Sequence, residues 1–230
     1  MEKFKSGFIA IIGKTNVGKS TLLNTMVGEK VAITTYKTQT TRTAIRAIVN
    51  RKSSQLIFID KPGIHKPKTK LGNVMIEVAW DTIKNSDIVV FLVDATSKRI
   101  TDEEHKILDK LSEFNKKVIL IINKIDMIKK EKLLALMDLY RKEYNFEAVI
   151  PISAIKNENI DVLLNEIEKH LKEGPAYYDI DEYTDQTERM LIEETIREKA
   201  LKLLNEEVPH GIYVEVNKMQ KRKTLKKESR

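Results

Sequence analysis

The stretch Gly13-Lys14-Thr15-Asn16-Val17-Gly18-Lys19-Ser20 constrains this chain more than any other. It follows a short apolar run, Phe8-Ile9-Ala10-Ile11-Ile12, and precedes a helix-compatible one, Thr21-Leu22-Leu23-Asn24-Thr25-Met26. This is G-x-x-x-x-G-K-[ST] in a strand–loop–helix context. A polyphosphate needs many N–H donors in a small space. The glycines let the backbone curl so that successive amides point inward. The new helix adds its free N-terminal amides and the positive end of its dipole. On this reading Gly13, Lys14, Thr15, Asn16, Val17, Gly18, Lys19, Ser20 and Thr21 form the cradle. Lys19 reaches the β- and γ-phosphates, and the Ser20 hydroxyl takes one Mg²⁺ position.

A loop of this kind needs a sheet behind it, and the apolar runs supply one. They alternate with helical periodicity, which points to an α/β fold: a P-loop NTPase with a mostly parallel six-stranded sheet flanked by helices. Strands are expected at 8–12, 44–50, 56–60, 88–94, 118–123 and 148–152. Several are apolar throughout, as strands buried on both faces tend to be. Helices are expected to begin near Lys19, Gly72, Asp102, Glu131 and Ile160. Thr101-Asp102-Glu103-Glu104 offers a capping side chain and acids at a helix start. The last helix of this domain places Ile160, Leu163, Leu164, Ile167 and Leu171 on one face.

Two polar stretches, 30–43 and 61–71, are long for connections inside a compact domain, and such loops are often functional. Gly174-Pro175 closes a first domain at 1–174, and 175–187 reads as an ordered linker. A helix with Ile192, Ile196, Ala200 and Leu203 on one face follows, ended by Pro209 and Gly211. Residues 212–216 alternate like a strand. One helix and one strand cannot bury a core alone, so the segment 188–230 reads as an incomplete second unit or one docked on the first.

The net charge of +7 is concentrated at one end. Residues 217–230 carry Lys218, Lys221, Arg222, Lys223, Lys226, Lys227 and Arg230 against Glu228, a balance of +6. Such an end meets nucleic acid or an anionic membrane, or is simply solvated. No run approaches the roughly 18 apolar residues of a membrane span. There is no cysteine, which excludes disulfides and thiolate metal sites and fits a reducing cytoplasm. His65, His105, His170 and His210 have no ligand spacing.

A phosphate loop alone serves ATPases, kinases and GTPases alike. Asn123-Lys124-Ile125-Asp126 decides among them, because it ends a buried strand, where doubly wound sheets bind ligands. A carboxylate at Asp126 can accept two hydrogen bonds, from the N1–H and 2-amino group of guanine. Adenine offers neither and would leave it unpaired, a difference worth orders of magnitude. Asn123 and Lys124 would hold the base and the loop beneath it. Ser153-Ala154 fits the remaining base contact, through the Ala154 N–H to guanine O6. Asp60-Lys61-Pro62-Gly63 closes the third strand: Asp60 holds Mg²⁺ through water, and the Gly63 amide senses the γ-phosphate. In Gln39-Thr40-Thr41-Arg42, one of the two threonines, Thr41 in preference to Thr40, completes the metal shell when a triphosphate is bound.

These five motifs are the set of the translation-factor-related GTPases. Asn16 through Thr21 with Gln39-Thr40-Thr41-Arg42 resembles the Era family of bacterial ribosome-assembly GTPases. The likeness continues through Gly174-Pro175, the tyrosine-rich linker, Ile196-Arg197-Glu198-Lys199 and Glu207-Val208-Pro209-His210. The resemblance implies a KH-type C-terminal domain that binds small-subunit (16S) ribosomal RNA and the 30S subunit, with partial association at the inner membrane. It implies a K⁺ ion liganded by Asn16, because Ile64 stands where Ras-like enzymes carry a water-orienting glutamine. With Lys19, Thr41 and Gly63, Asn16 would make up the catalytic set. The family usually has proline where Thr15 stands, and D-T-P-G where this chain has Lys61 in the second place.

A KH-type domain also needs a G-x-x-G loop, and no glycine follows Gly211. Residues 188–230 are therefore expected to form a truncated KH-like unit, with specific RNA binding lost. The expected function is a monomeric, Mg²⁺-dependent GTP-hydrolysing switch. The alternative is a non-enzymatic RNA-binding protein with guanine nucleotide as a structural ligand.

Overall fold

The computed structural model describes residues 3–34, 45–60, 70–204 and 212–220. Its centre is a twisted sheet of β1 (Lys5–Ile12), β2 (Ile45–Asn50), β3 (Ser54–Asp60), β4 (Ile88–Asp94), β5 (Val118–Asn123), β6 (Ala148–Pro151) and the two-residue β7 (Lys172–Glu173). The order across the sheet is β2-β3-β1-β4-β5-β6. β1, β3, β4, β5 and β6 are parallel, and β2 runs antiparallel to β3. The helices are α1 (Lys19–Val27), α2 (Lys70–Asn85), α3 (Asp102–Glu113), α4 (Lys130–Glu143), α5 (Ile160–His170) and α6 (Glu188–Leu203).

The continuous apolar strands are explained by two cores, one on each face. Side chains alternate across a strand, so Ile9 and Ile11 of β1 face one core while Ala10 and Ile12 face the other. Val90 and Leu92 join the first core with Leu22, Leu23 and Met26 of α1 and Leu163 and Ile167 of α5. Phe91 and Val93 join the second with Ile107 and Leu111 of α3 and Leu136 and Tyr140 of α4. Each central strand therefore buries both sets of side chains, at roughly 25 cal/mol per Å² of apolar surface. That anchors the strand ends, where the loops emerge.

The sheet has seven strands rather than the expected six. β1 pairs with β4 only from Ile9 onward, so the edge of its first residues is open to β7, through Lys5↔Glu173 and Ser6↔Lys172. Both residues of β7 are charged and exposed, so no apolar pattern announced it.

The segment after β7 lies along the outer edge of β2. Ile48 N–H donates to the Tyr183 carbonyl at 2.9 Å, and Ala47 bridges Thr184. Gln55, 1% exposed, binds this segment from below: its Nε2 donates to the Tyr178 carbonyl at 2.9 Å, and its Oε1 accepts from Tyr177 and Tyr178 N–H at 2.7 and 3.0 Å. A strand edge that would otherwise offer unpaired amides is thus covered.

Two expectations for the C-terminal segment are corrected. α6 does not bury the face of Ile192, Ile196, Ala200 and Leu203: Ile196 is 47% and Leu203 81% exposed, and the buried residues are Arg197, Glu198 and Leu201. The buried charges are paired, Arg197 with Glu194 and Glu198 with Lys30 and Lys202, so an ionic stripe takes the place of the apolar one. Residues 212–216 do not form a strand. They alternate in exposure as a strand would, but no ladder partner stands beside them among the described residues, and Val216 N–H is taken by the Glu193 carboxylate at 2.9 Å. Helix α6 ends at Leu203, and Pro209 and Gly211, expected to end it, lie outside the described residues.

Candidate nucleotide site

The phosphate-type loop leaves β1 where the sheet order turns, between β3 and β4. Two glycines are dictated by space as well as conformation. A Cβ on Gly13 (φ +154°) would lie 2.3 Å from the Leu92 carbonyl oxygen, and one on Gly18 (φ +102°) would lie 2.3 Å from Asn123 Nδ2. Gly18 caps the N-terminus of α1, so the free amides of its first turn open into the loop. Asn16 stands exposed at the tip with φ +63°. Val17 is buried in the first core and anchors the loop from beneath. Lys14, Thr15, Ser20 and Thr21 are half-buried. Lys14 reaches sideways to Thr101 Oγ1, 3.3 Å away at the start of α3. The Thr101 N–H and hydroxyl in turn donate to Glu104, at the helix start where the sequence offered a capping side chain and acids.

Lys19 folds back over the loop. Its ammonium donates to the carbonyls of Gly13 at 2.9 Å and Lys14 at 2.7 Å. Asp60, at the end of β3, is fully buried, and neither carboxylate oxygen has a hydrogen-bond partner among the described residues. Burial pushes its pKa up to about 6, with the Lys19 ammonium pulling the other way. Burial likewise lowers the pKa of Lys19, partly offset by Asp60. A buried carboxylate with two open oxygens beside a phosphate-type loop fits a hard divalent cation. Thr41 and Gly63, the other expected members of this side, lie outside the described residues, as does Ile64.

The second cluster comes from the ends of β5 and β6. Asn123, 2% exposed, joins it to the loop: Nδ2 donates to the Val17 carbonyl at 2.9 Å, and Oδ1 accepts from Ala154 N–H at 3.0 Å. Lys124, in the left-handed region at φ +68°, donates to the Asn16 carbonyl at 2.8 Å. Asp126 lies exposed in the 3₁₀ turn Ile125–Met127, and the Ser153 hydroxyl donates to its Oδ1 at 2.6 Å. That bond orients the carboxylate and leaves Oδ2 to the solvent side. The Ala154 N–H, expected to meet guanine O6, donates to Asn123 Oδ1 in this structure, and Ala154 is buried.

Sequence reasoning missed three residues that brace the surroundings of the two clusters. Asp94, at the end of β4, accepts from Lys124 Nζ at 2.6 Å through Oδ2, and from Thr96 N–H and hydroxyl at 2.8 and 2.7 Å through Oδ1. Burial raises its pKa, but the bonds from Lys124 and Thr96 outweigh burial and hold it below the usual range. Thr25 Oγ1 on α1 donates to the Ala154 carbonyl at 2.9 Å. Asn24 binds the turn after α1: its Oδ1 accepts from Val31 and Ala32 N–H, and its Nδ2 donates to the Ala32 carbonyl. A strand-terminal aspartate two residues before threonine was the available signal for Asp94. Nothing in the helix periodicity singles out Thr25 or Asn24.

Comparison with known proteins bears directly on this geometry. Residues 8–124 match the family described as 50S ribosome-binding GTPase. The chain is 50% identical over 219 residues to the GTPase Era of Ruminiclostridium cellulolyticum, covering 95% of this chain and 73% of that one. It is 47% identical over 220 residues to the GTPase Era of Clostridioides difficile, covering 95% and 74%. Among solved structures it resembles an Aquifex aeolicus Era variant bound to GDP·AlF₄⁻. It is equally similar to Era in complex with MgGDPNP and nucleotides 1506–1542 of 16S ribosomal RNA. In both cases the TM-score is 0.84 at 40% identity, over 90% of this chain and 70% of the other. Identity at that level, carried through the loop, the base-side cluster and the segment beyond them, decides the assignment: the chain belongs to the Era family of GTPases.

Proposed function

We propose that this GTPase is a guanine-nucleotide switch in small ribosomal subunit assembly, and that the two clusters are the phosphate and base halves of one site. The observation that carries the reading is the joint between them. Asn123 and Lys124 bond to the carbonyls of Val17 and Asn16, so the base end and the phosphate end are held at one fixed separation. A free ATPase loop has no need of that joint. Asp126, aligned by Ser153, takes the guanine N1–H and 2-amino group. Asn123 and Lys124 support the base from below. Ala154 frames its edge while its amide serves Asn123.

On the phosphate side the inward amides of Gly13 through Thr21 receive the β- and γ-phosphates. Lys19 exchanges its two loop carbonyls for phosphate oxygens, a charge-assisted bond in place of neutral ones. Ser20 and Thr41 would hold Mg²⁺, with Asp60 reaching it through water, and the ion would supply charge neutralisation at the β- and γ-phosphates. Thr41 and the Gly63 amide read the γ-phosphate, so the loops that carry them change with hydrolysis. The in-line attack on the γ-phosphorus is served mainly by positioning and by the charge of Lys19.

The solved relative bound to MgGDPNP and 16S ribosomal RNA supports small-subunit RNA as the partner class. Residues 212–230 contain no glycine and so no G-x-x-G clamp. The RNA affinity they give is that of the basic end, sequence-indifferent and salt-sensitive. On this reading the protein works in the cytoplasm, and the same basic end gives any contact with the inner membrane a peripheral, electrostatic character. No helix among the described residues is long and apolar enough to cross a membrane.

The test is Asp126→Asn. An amide there donates where guanine donates, and suits the 2-oxygen of xanthine instead. GTP affinity should fall by about two orders of magnitude while xanthosine triphosphate gains. Equilibrium binding of each nucleotide, measured on both proteins, checks it. Unchanged GTP affinity would remove Asp126 from the base site.

A further inference from the structure

We propose that Asp94 is a positioning residue for nucleotide retention: its carboxylate holds the Lys124 ammonium on the carbonyl of Asn16 and so locks the base half of the site to the phosphate loop. Lys124 Nζ has two partners among the described residues, Asp94 Oδ2 at 2.6 Å and the Asn16 carbonyl at 2.8 Å. The second is a single neutral acceptor on an exposed loop tip. A long, mobile lysine does not stay on one carbonyl unless something fixes its charged end, because holding it costs rotamer freedom.

Asp94 is suited to that task. It ends β4 and pairs in register with Asn123, so its backbone is part of the rigid sheet. Its Oδ1 is tied down by both donors of Thr96, which fixes χ1 and aims Oδ2 at Lys124. The pair is largely sheltered, Asp94 19% and Lys124 31% exposed at the side chain, so solvent screens it less than a surface pair. Asp94 bonds to Lys124 and Thr96, and acts on nucleotide through Lys124.

The experiment is a double-mutant cycle read as the dissociation rate of a fluorescent GDP analogue from loaded protein. Only folded, loaded molecules give the signal, so a change in folded fraction does not enter it. Asp94→Asn keeps the shape and removes the charge, and is expected to speed release by about tenfold, the effect falling on the off-rate. Lys124→Met removes the ammonium and keeps the stem. In that background Asp94→Asn should change the rate by less than about twofold, because the partner through which it acts is gone. Thr96→Val loosens the turn but leaves the ion pair, and should stay within about threefold of wild type. Two results would overturn the proposal. One is a wild-type release rate in Asp94→Asn. The other is multiplication of the Asp94 and Lys124 effects, which a merely structural aspartate would give.

Discussion

Asn16 holds the residue-scale question of how this enzyme does without a water-orienting side chain. Position 64, directly after Asp60-Lys61-Pro62-Gly63, is isoleucine and offers no hydrogen bond. Asn16 sits exposed in the left-handed region, with its carbonyl accepting from Lys124 Nζ. Asparagine adopts that conformation more easily than most residues and carries an oxygen that can ligand a cation. We propose, from the family resemblance, that Asn16 holds a monovalent cation against the phosphates. Phosphate release should be at least tenfold faster in K⁺ than in Na⁺ at matched ionic strength, the scale of one preorganised charge-stabilising contact. Asn16→Ala should erase that preference while GDP affinity changes little. Equal rates of the wild type in the two salts would remove the cation from the account.

At the scale of elements, the linker strip on β2 depends on one side chain. Gln55 satisfies Tyr177 N–H, Tyr178 N–H and the Tyr178 carbonyl, and also donates to Asn50 Oδ1 at 2.7 Å. Gln55→Leu matches its volume but leaves three backbone groups without partners. It should destabilise the protein by about 2–4 kcal/mol, seen as a lower urea midpoint at unchanged slope. A midpoint within error of wild type would mean that the strip re-pairs through water. The same strip shows where sequence reading succeeds and where it ends. β4 and β5 carry unbroken apolar runs because both faces are buried, so 88–94 and 118–123 could be read to the residue. The motifs Gly13 to Ser20 and Asn123 to Asp126 could be read because their chemistry requires those residue types at fixed strand ends. β7, the linker strip and the face of α6 could not. They are held by charged and amide side chains reaching across more than a hundred residues, and no local period records such pairing.

At the scale of the whole molecule, the C-terminal segment grips both flanks of the long polar loop that carries Thr41. Lys30, before the loop, pairs with Glu198 of α6 at 2.6 Å, and Arg46, after it, pairs with Asp185 of the linker at 2.9 Å. Glu198 is the stronger of these joints because it is 2% exposed and shared between Lys30 and Lys202. Burial raises its pKa, but the hydrogen bonds from Lys202 and Lys30 outweigh burial and hold it below the ordinary 4.5. The folded carboxyl therefore binds its proton more weakly than the unfolded one. The ion pair contributes its full stability above about pH 4.5 and loses it as the pH falls through the lowered folded value. Glu198→Gln cannot ionise and leaves both ammonium groups without a counter-charge. At pH 7 the amides of α6 should exchange on the order of tenfold faster in that variant than in wild type, with the two cores unaffected. As the pH falls through the lowered folded value the wild-type carboxyl becomes the neutral analogue of the amide. The gap between the two proteins, corrected for intrinsic exchange, should then close. Hydrogen exchange of α6 across that range is the measurement. Equal α6 exchange in the two proteins at pH 7 would show that α6 is held by packing of residues such as Leu201, and that Glu198 contributes no charge-dependent docking.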